Sequence, residues 1–138
     1  MTRIKILLLS ALFVFSSAAM ASPKIPVVAS FSILGDIVSN IGGDRIAVTN
    51  LVGPDQDAHI FTPSPKDVRT LTQAKLVVVN GLGFEGWIQR LTGAANYKGV
   101  LVIASDGVKT HEMSEDGHHH GHADHAAHAD PHAWQDPT

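Results

Sequence analysis

Lys75-Leu-Val-Val-Val-Asn80 is an unbroken apolar run bracketed by polar residues. A strand with one face in water alternates apolar and polar side chains, whereas a strand buried on both faces does not. Three further runs read as strands: Ile25-Pro-Val-Val-Ala-Ser30, Ile46 to Val52, which carries Thr49-Asn50 inside it, and Val100-Leu-Val-Ile-Ala104. Pro26 belongs near a strand start, where a missing N–H is tolerated. Between the first two runs, Ile33, Leu34, Ile37, Val38 and Ile41 recur at helical spacing, and Gly42-Gly43 end the pattern. Ser64-Pro65-Lys66-Asp67 predicts a helix start, with Ser as cap, Pro first inside and Asp three residues after the cap. Val68, Leu71 and Ala74 form the inner face of that helix. Trp87, Ile88 and Leu91 predict a short helix ending near Gly93. Strands alternating with helices in this way predict an α/β fold, a four-stranded parallel sheet with helices on both faces and right-handed crossovers.

Toward the amino terminus the pattern changes from structure to address. Arg3 and Lys5 precede an apolar stretch from Ile6 to Phe15, and Ala19-Met20-Ala21 has small-x-small spacing. This predicts a signal peptide over residues 1–21, cleaved after Ala21. A membrane span needs about 20 apolar residues, and Ser16-Ser17 end this run sooner. The expected destination is a bacterial periplasm. The sequence contains no cysteine, so disulfides, thiolate metal sites and a cysteine nucleophile are excluded. No cysteine is present for acylation either, and the mature protein is expected to be soluble rather than lipid-anchored, and a monomer.

Ten Lys and Arg stand against 13 Asp and Glu, a net charge of −3, and no basic excess points to nucleic acid. Histidine is the anomaly. Eight of the nine His lie between His111 and His132, a window without Lys or Arg. Within it His118, His119, His120, His122, His125 and His128 sit among Gly, Ala, Asp and Glu with no apolar period. Such a tract has many ligands and no fixed geometry, so it predicts weak, exchanging binding of zinc, copper or nickel. His111 can belong to the tract or to another site.

Two other histidines stand where chemistry is expected. His59 follows the second strand, and in open α/β sheets ligands gather at the carboxyl ends of strands. His132 lies in the last loop, beyond the fourth strand at the same edge. Two imidazoles from separate loops make half of a zinc shell. Asp136-Pro137 has the form of a helix opening. A competing signal is Gly81-Leu-Gly83-Phe-Glu-Gly86, which has dinucleotide-binding spacing with Asp106 about 20 residues on. Glu85 counts against it, because a carboxylate occupies the turn where a pyrophosphate needs positive potential.

Taken together, Asp57-Ala-His59-Ile-Phe-Thr-Pro-Ser-Pro-Lys-Asp67, then Val77-Val-Val-Asn-Gly-Leu-Gly-Phe-Glu-Gly-Trp87, then the His-rich tract, then Asp130-Pro-His132-Ala-Trp-Gln-Asp-Pro137 resemble the periplasmic zinc and manganese substrate-binding proteins of ABC transporters. The resemblance implies two α/β lobes joined by a long helix, with metal in the cleft between them. By that resemblance residues 22–110 are the amino-terminal lobe, 111–131 the His-rich loop, and 132–138 the second ligand segment with the start of the linking helix. His59 and His132 are carried over as metal ligands, and the remaining ligands belong to a lobe beyond this sequence. Ala58 stands where some zinc-uptake members have a carboxylate. The implied partner is a membrane permease, and the implied cargo is zinc rather than manganese, since imidazole suits zinc and manganese favours carboxylates. Two other classes draw on parts of the same sequence. A periplasmic metal buffer or chaperone needs only the His tract. A metal-dependent hydrolase needs a general base, for which Glu85 is the available carboxylate, and no H-E-x-x-H motif is present. The expectation is therefore a transport protein and not an enzyme.

Overall fold

The computed structural model describes residues 22–109 and 129–135. The export segment 1–21, His111, the tract His118 to His128 and Asp136-Pro137 lie outside the described residues. Four strands form one parallel sheet: β1 (Ile25–Phe31), β2 (Ile46–Val52), β3 (Leu76–Val79) and β4 (Val100–Ile103), in the order β2-β1-β3-β4. Three helices connect them: α1 (Ser32–Gly42), α2 (Pro65–Gln73) and α3 (Ile88–Ala94). Short 3₁₀ turns follow α1 at Gly43–Arg45 and close the described chain at Ala133–Gln135.

The strand order explains the layering. The chain steps from β1 out to β2, then crosses back over β1 to β3 and on to β4. With right-handed crossovers, that reversal puts α1 on one face and α2 with α3 on the other. α1 accordingly packs on β1 and β2, while α2 and α3 pack on each other. Val27, Val28, Val77 and Val79 of the two central strands are buried, as the unbroken apolar runs require. Leu71 of α2 and Leu91 of α3 close the core from one side. The start of α2 forms as its sequence demands: Asp67 accepts a hydrogen bond from the Ser64 backbone N–H at 2.7 Å and another from the Ser64 hydroxyl at 2.7 Å.

Two expectations change in detail. Of the stripe Ile33, Leu34, Ile37, Val38 and Ile41, Leu34 is buried and Val38 partly so, while Ile33, Ile37 and Ile41 are exposed, Ile41 at 77%. The helix approaches β2 through Leu34 and Gly35, where an added Cβ would meet the Asn50 side chain. Ile33, Ile37 and Ile41 follow one another at four-residue steps along one side of α1, which no described element covers. The second change concerns β4, expected to be buried like β3. All four of its residues are exposed, because it is an edge strand and no described element covers it. Among the described residues no helix follows β4.

Candidate metal centre

Two short motifs of the same form carry the two histidines. In Asp57-Ala-His59 and in Asp130-Pro-His132, the aspartate carboxylate accepts the backbone N–H of the residue two positions on, at 2.8 Å and 2.9 Å. Each is a local turn in which an Asp side chain replaces a backbone acceptor. Asp130 does more, since the same oxygen lies 2.7 Å from the ring Nδ1 of His132. An ionised carboxylate can only accept, so this contact places a proton on Nδ1, and in the neutral ring the lone pair is then on Nε2.

The two turns meet at the carboxyl end of the sheet. The first follows β2, and the second returns over β1 and β3. The His59 and His132 rings stand 5.5 Å apart between centroids, with an interplanar angle of 64°. His59 is exposed and His132 is half-buried. Phe84 packs edge-on against both, at 4.3 Å from His59 and 5.8 Å from His132. Trp134 lies 4.9 Å from Phe31 and 4.8 Å from Phe84 and so fastens the second segment to the sheet. An open cleft is left, lined by Asp55, Asp57, His59, Phe84, His132 and Trp134. Among the described residues no Lys or Arg lines it, and its carboxylates favour a cation. Among the described residues no third His, Cys, Asp or Glu completes a ligand group with these two.

Behind the rings lies the Asn80–Trp87 segment. Gly81, Leu82 and Gly83 all have positive φ, at 88°, 53° and 77°. At Gly81 a Cβ would also meet Ile103 Cγ2 at 2.4 Å, so only glycine fits. The buried Glu85 carboxylate closes this loop on itself: it accepts the backbone N–H groups of Asn80 and Gly81, at 2.7 and 3.1 Å, and the Ser30 hydroxyl at 2.5 Å. Those donors are the ones a bound pyrophosphate would need, so the dinucleotide spacing has a structural explanation. Sequence reasoning singled out His59 and His132 and missed the groups around them. The signal for Asp57 and Asp130 was present as a repeated Asp-x-His. Asn80, Phe84 and Trp87 gave none beyond their neighbourhood.

Comparison with known proteins places the fold and the cleft in context. The family model described as zinc-uptake complex component A, periplasmic, matches residues 27–138. This chain belongs to that family. Among relatives of the zinc-uptake component A family, the manganese-binding lipoprotein MntA of Halalkalibacterium halodurans is 37% identical over 112 residues, covering 80% of this chain and 33% of that protein. The manganese ABC transporter substrate-binding lipoprotein PsaA of Streptococcus pneumoniae is 35% identical over 125 residues, covering 86% of this chain and 38% of that protein. A solved Mn-bound periplasmic metal-binding protein from Candidatus Liberibacter asiaticus superimposes with a TM-score of 0.66 at 33% identity, over 80% of this chain and 38% of that one. The chain thus spans well under half the length of these relatives.

Proposed function

We propose that this chain captures zinc in the periplasm for delivery to the membrane permease of a metal ABC transporter, with His59 and His132 as two of the ligands. The observation that carries this reading is the 5.5 Å separation of the two imidazole rings. With Zn–N bonds of about 2.0–2.1 Å and a tetrahedral angle, two imidazole centroids flanking one ion stand roughly 5 Å apart. The pair supplies half of a tetrahedral shell, and we assign the other ligands to the further length that the relatives have. Residues 22–110 then act as one lobe and 132–138 as the entry to its connection with a second. The His tract, residues 111–131, serves as a weak collecting loop.

Imidazole donors and the His tract support zinc. Manganese is the second reading, favoured by the names of MntA and PsaA and by the Mn-bound neighbour. Those two relatives are named lipoproteins, so whether this protein is free in the periplasm is decided by phase partitioning of the exported form. Equilibrium dialysis of the full chain against zinc and manganese tests the cargo. Zinc retained over manganese, and reduced by both His59→Ala and His132→Ala, is the expected result. Manganese preference moves the assignment to the second reading. Retention unaffected by either substitution removes the site and leaves a metal buffer that works through the tract alone.

A further inference from the structure

Two buried hydrogen bonds run from the Asn80–Trp87 segment to the two ligand turns, and each ends on the carbonyl next to a histidine. The Trp87 indole Nε1 donates to the Ala58 carbonyl at 2.7 Å, one residue before His59. The Asn80 side-chain Nδ2 donates to the Pro131 carbonyl at 2.8 Å, one residue before His132. Trp87 is 2% exposed and Asn80 4%. Between these two anchors, Phe84 inserts its ring against both imidazoles. The Glu85 carboxylate, two residues before Trp87, draws the start of the loop together and ties it to Ser30 of β1.

Resting on the shared zinc site proposed above, we infer that Asn80 and Trp87 are positioning residues that set the spacing of His59 and His132 from one rigid loop. Neither touches the ion. Each holds a backbone carbonyl, and with it the turn that aims one ring. Loops run over the surface and hold their place less firmly than the elements they connect. His59 has an exposed turn and His132 follows a long low-complexity stretch, so the spacing between them has to be imposed from outside. One loop that grips both turns imposes it directly. Groups that orient ligands in this way change metal affinity by about 10–100-fold when removed.

Two variants separate positioning from general stability. Trp87→Phe keeps the ring against Phe61 and removes the N–H donor. Asn80→Asp keeps the size and turns a donor toward a carbonyl into a second acceptor. Zinc titration of the full chain, followed by residue-resolved ¹⁵N shifts of the imidazoles, reads His59 and His132 apart from the tract. In the unsubstituted chain both rings are expected to respond with one common midpoint. Each variant is expected to raise that midpoint about 10-fold while the amide fingerprint stays folded. In a His132→Ala background, Trp87→Phe is expected to leave the residual His59 midpoint unchanged, since there is no second ring to be spaced against. Asn80→Asp in a His59→Ala background is expected to do the same for His132. A common midpoint that both variants leave in place overturns this inference alone. A shift that persists in the single-histidine backgrounds also overturns it, since it assigns the residues a general structural role. Separate midpoints in the unsubstituted chain overturn the shared site and this inference with it.

Discussion

One carboxylate oxygen of Asp130 lies 2.9 Å from the backbone nitrogen of His132 and 2.7 Å from its ring Nδ1. The same atom therefore shapes the turn and chooses the tautomer. Asp130→Asn replaces an acceptor-only group by one that also donates, and the ring is no longer held with Nε2 outward. Zinc affinity of the His59–His132 pair is expected to fall about 10-fold. Asp57→Asn, which loses only a turn contact, is expected to have a smaller effect. Titrating the two variants side by side checks the order, and equal losses would show that the ring contact is inert.

Acid is expected to release the metal. Zinc binds the neutral imidazole, so protons and metal compete for the same lone pair. Affinity for zinc is expected to fall from neutral to mildly acid solution and to recover on return. Isothermal titration at both ends of that range reads the change, and an unaltered affinity would assign the binding to carboxylates.

The tract and the ring pair are expected to separate by stoichiometry. Replacing His118, His119, His120, His122, His125 and His128 by serine is expected to remove several weak zinc equivalents. The common response of His59 and His132 is expected to stay. The tract offers many donors with no regular spacing in its sequence, whereas the two turns are each held by a hydrogen bond from the Asn80–Trp87 segment. Loss of the ring response in the serine variant would merge the two sites into one.

Stability is expected to follow burial and capping. Leu71 is fully buried between α2 and the sheet, and Leu71→Ala is expected to destabilise the fold by about 2–5 kcal/mol. Asp67→Ala removes the acceptor for the Ser64 backbone N–H, and a loss of about 1 kcal/mol is expected. Urea unfolding of both variants gives the two figures, and a larger loss at Asp67 would reverse the ranking argued here.

Much of this arrangement was legible before any coordinates. Val77 to Val79 announced a doubly covered strand, and Ser64-Pro65-Lys66-Asp67 located the start of α2 to the residue. His59 and His132 were expected at one sheet edge from their place after strand ends, and their rings stand 5.5 Å apart. What escaped was set by partners distant in sequence. Nothing local distinguishes Val100 to Ile103 from β3; only the strand order makes one an exposed edge and the other a centre. Ile37 fits the helical period as well as Leu34 does, and only what the fold sets opposite each one separates them. Trp87 reaches back 29 positions to Ala58, and Asn80 forward 51 to Pro131. No window along the chain contains both ends of either bond.

The open side of β4 has a consequence for handling the protein. Four consecutive apolar residues lie on an edge strand with their side chains in water, and the outward backbone N–H and C=O groups of such a strand form a template for any extended chain. Natural edges are blunted by lysine, proline or a bulge, and Val100-Leu-Val-Ile103 has none of these. Among the described residues nothing covers this edge, and self-association of concentrated samples by strand addition here is expected, read as concentration-dependent mass in sedimentation. A lysine at Leu101 is the gatekeeper that addresses it.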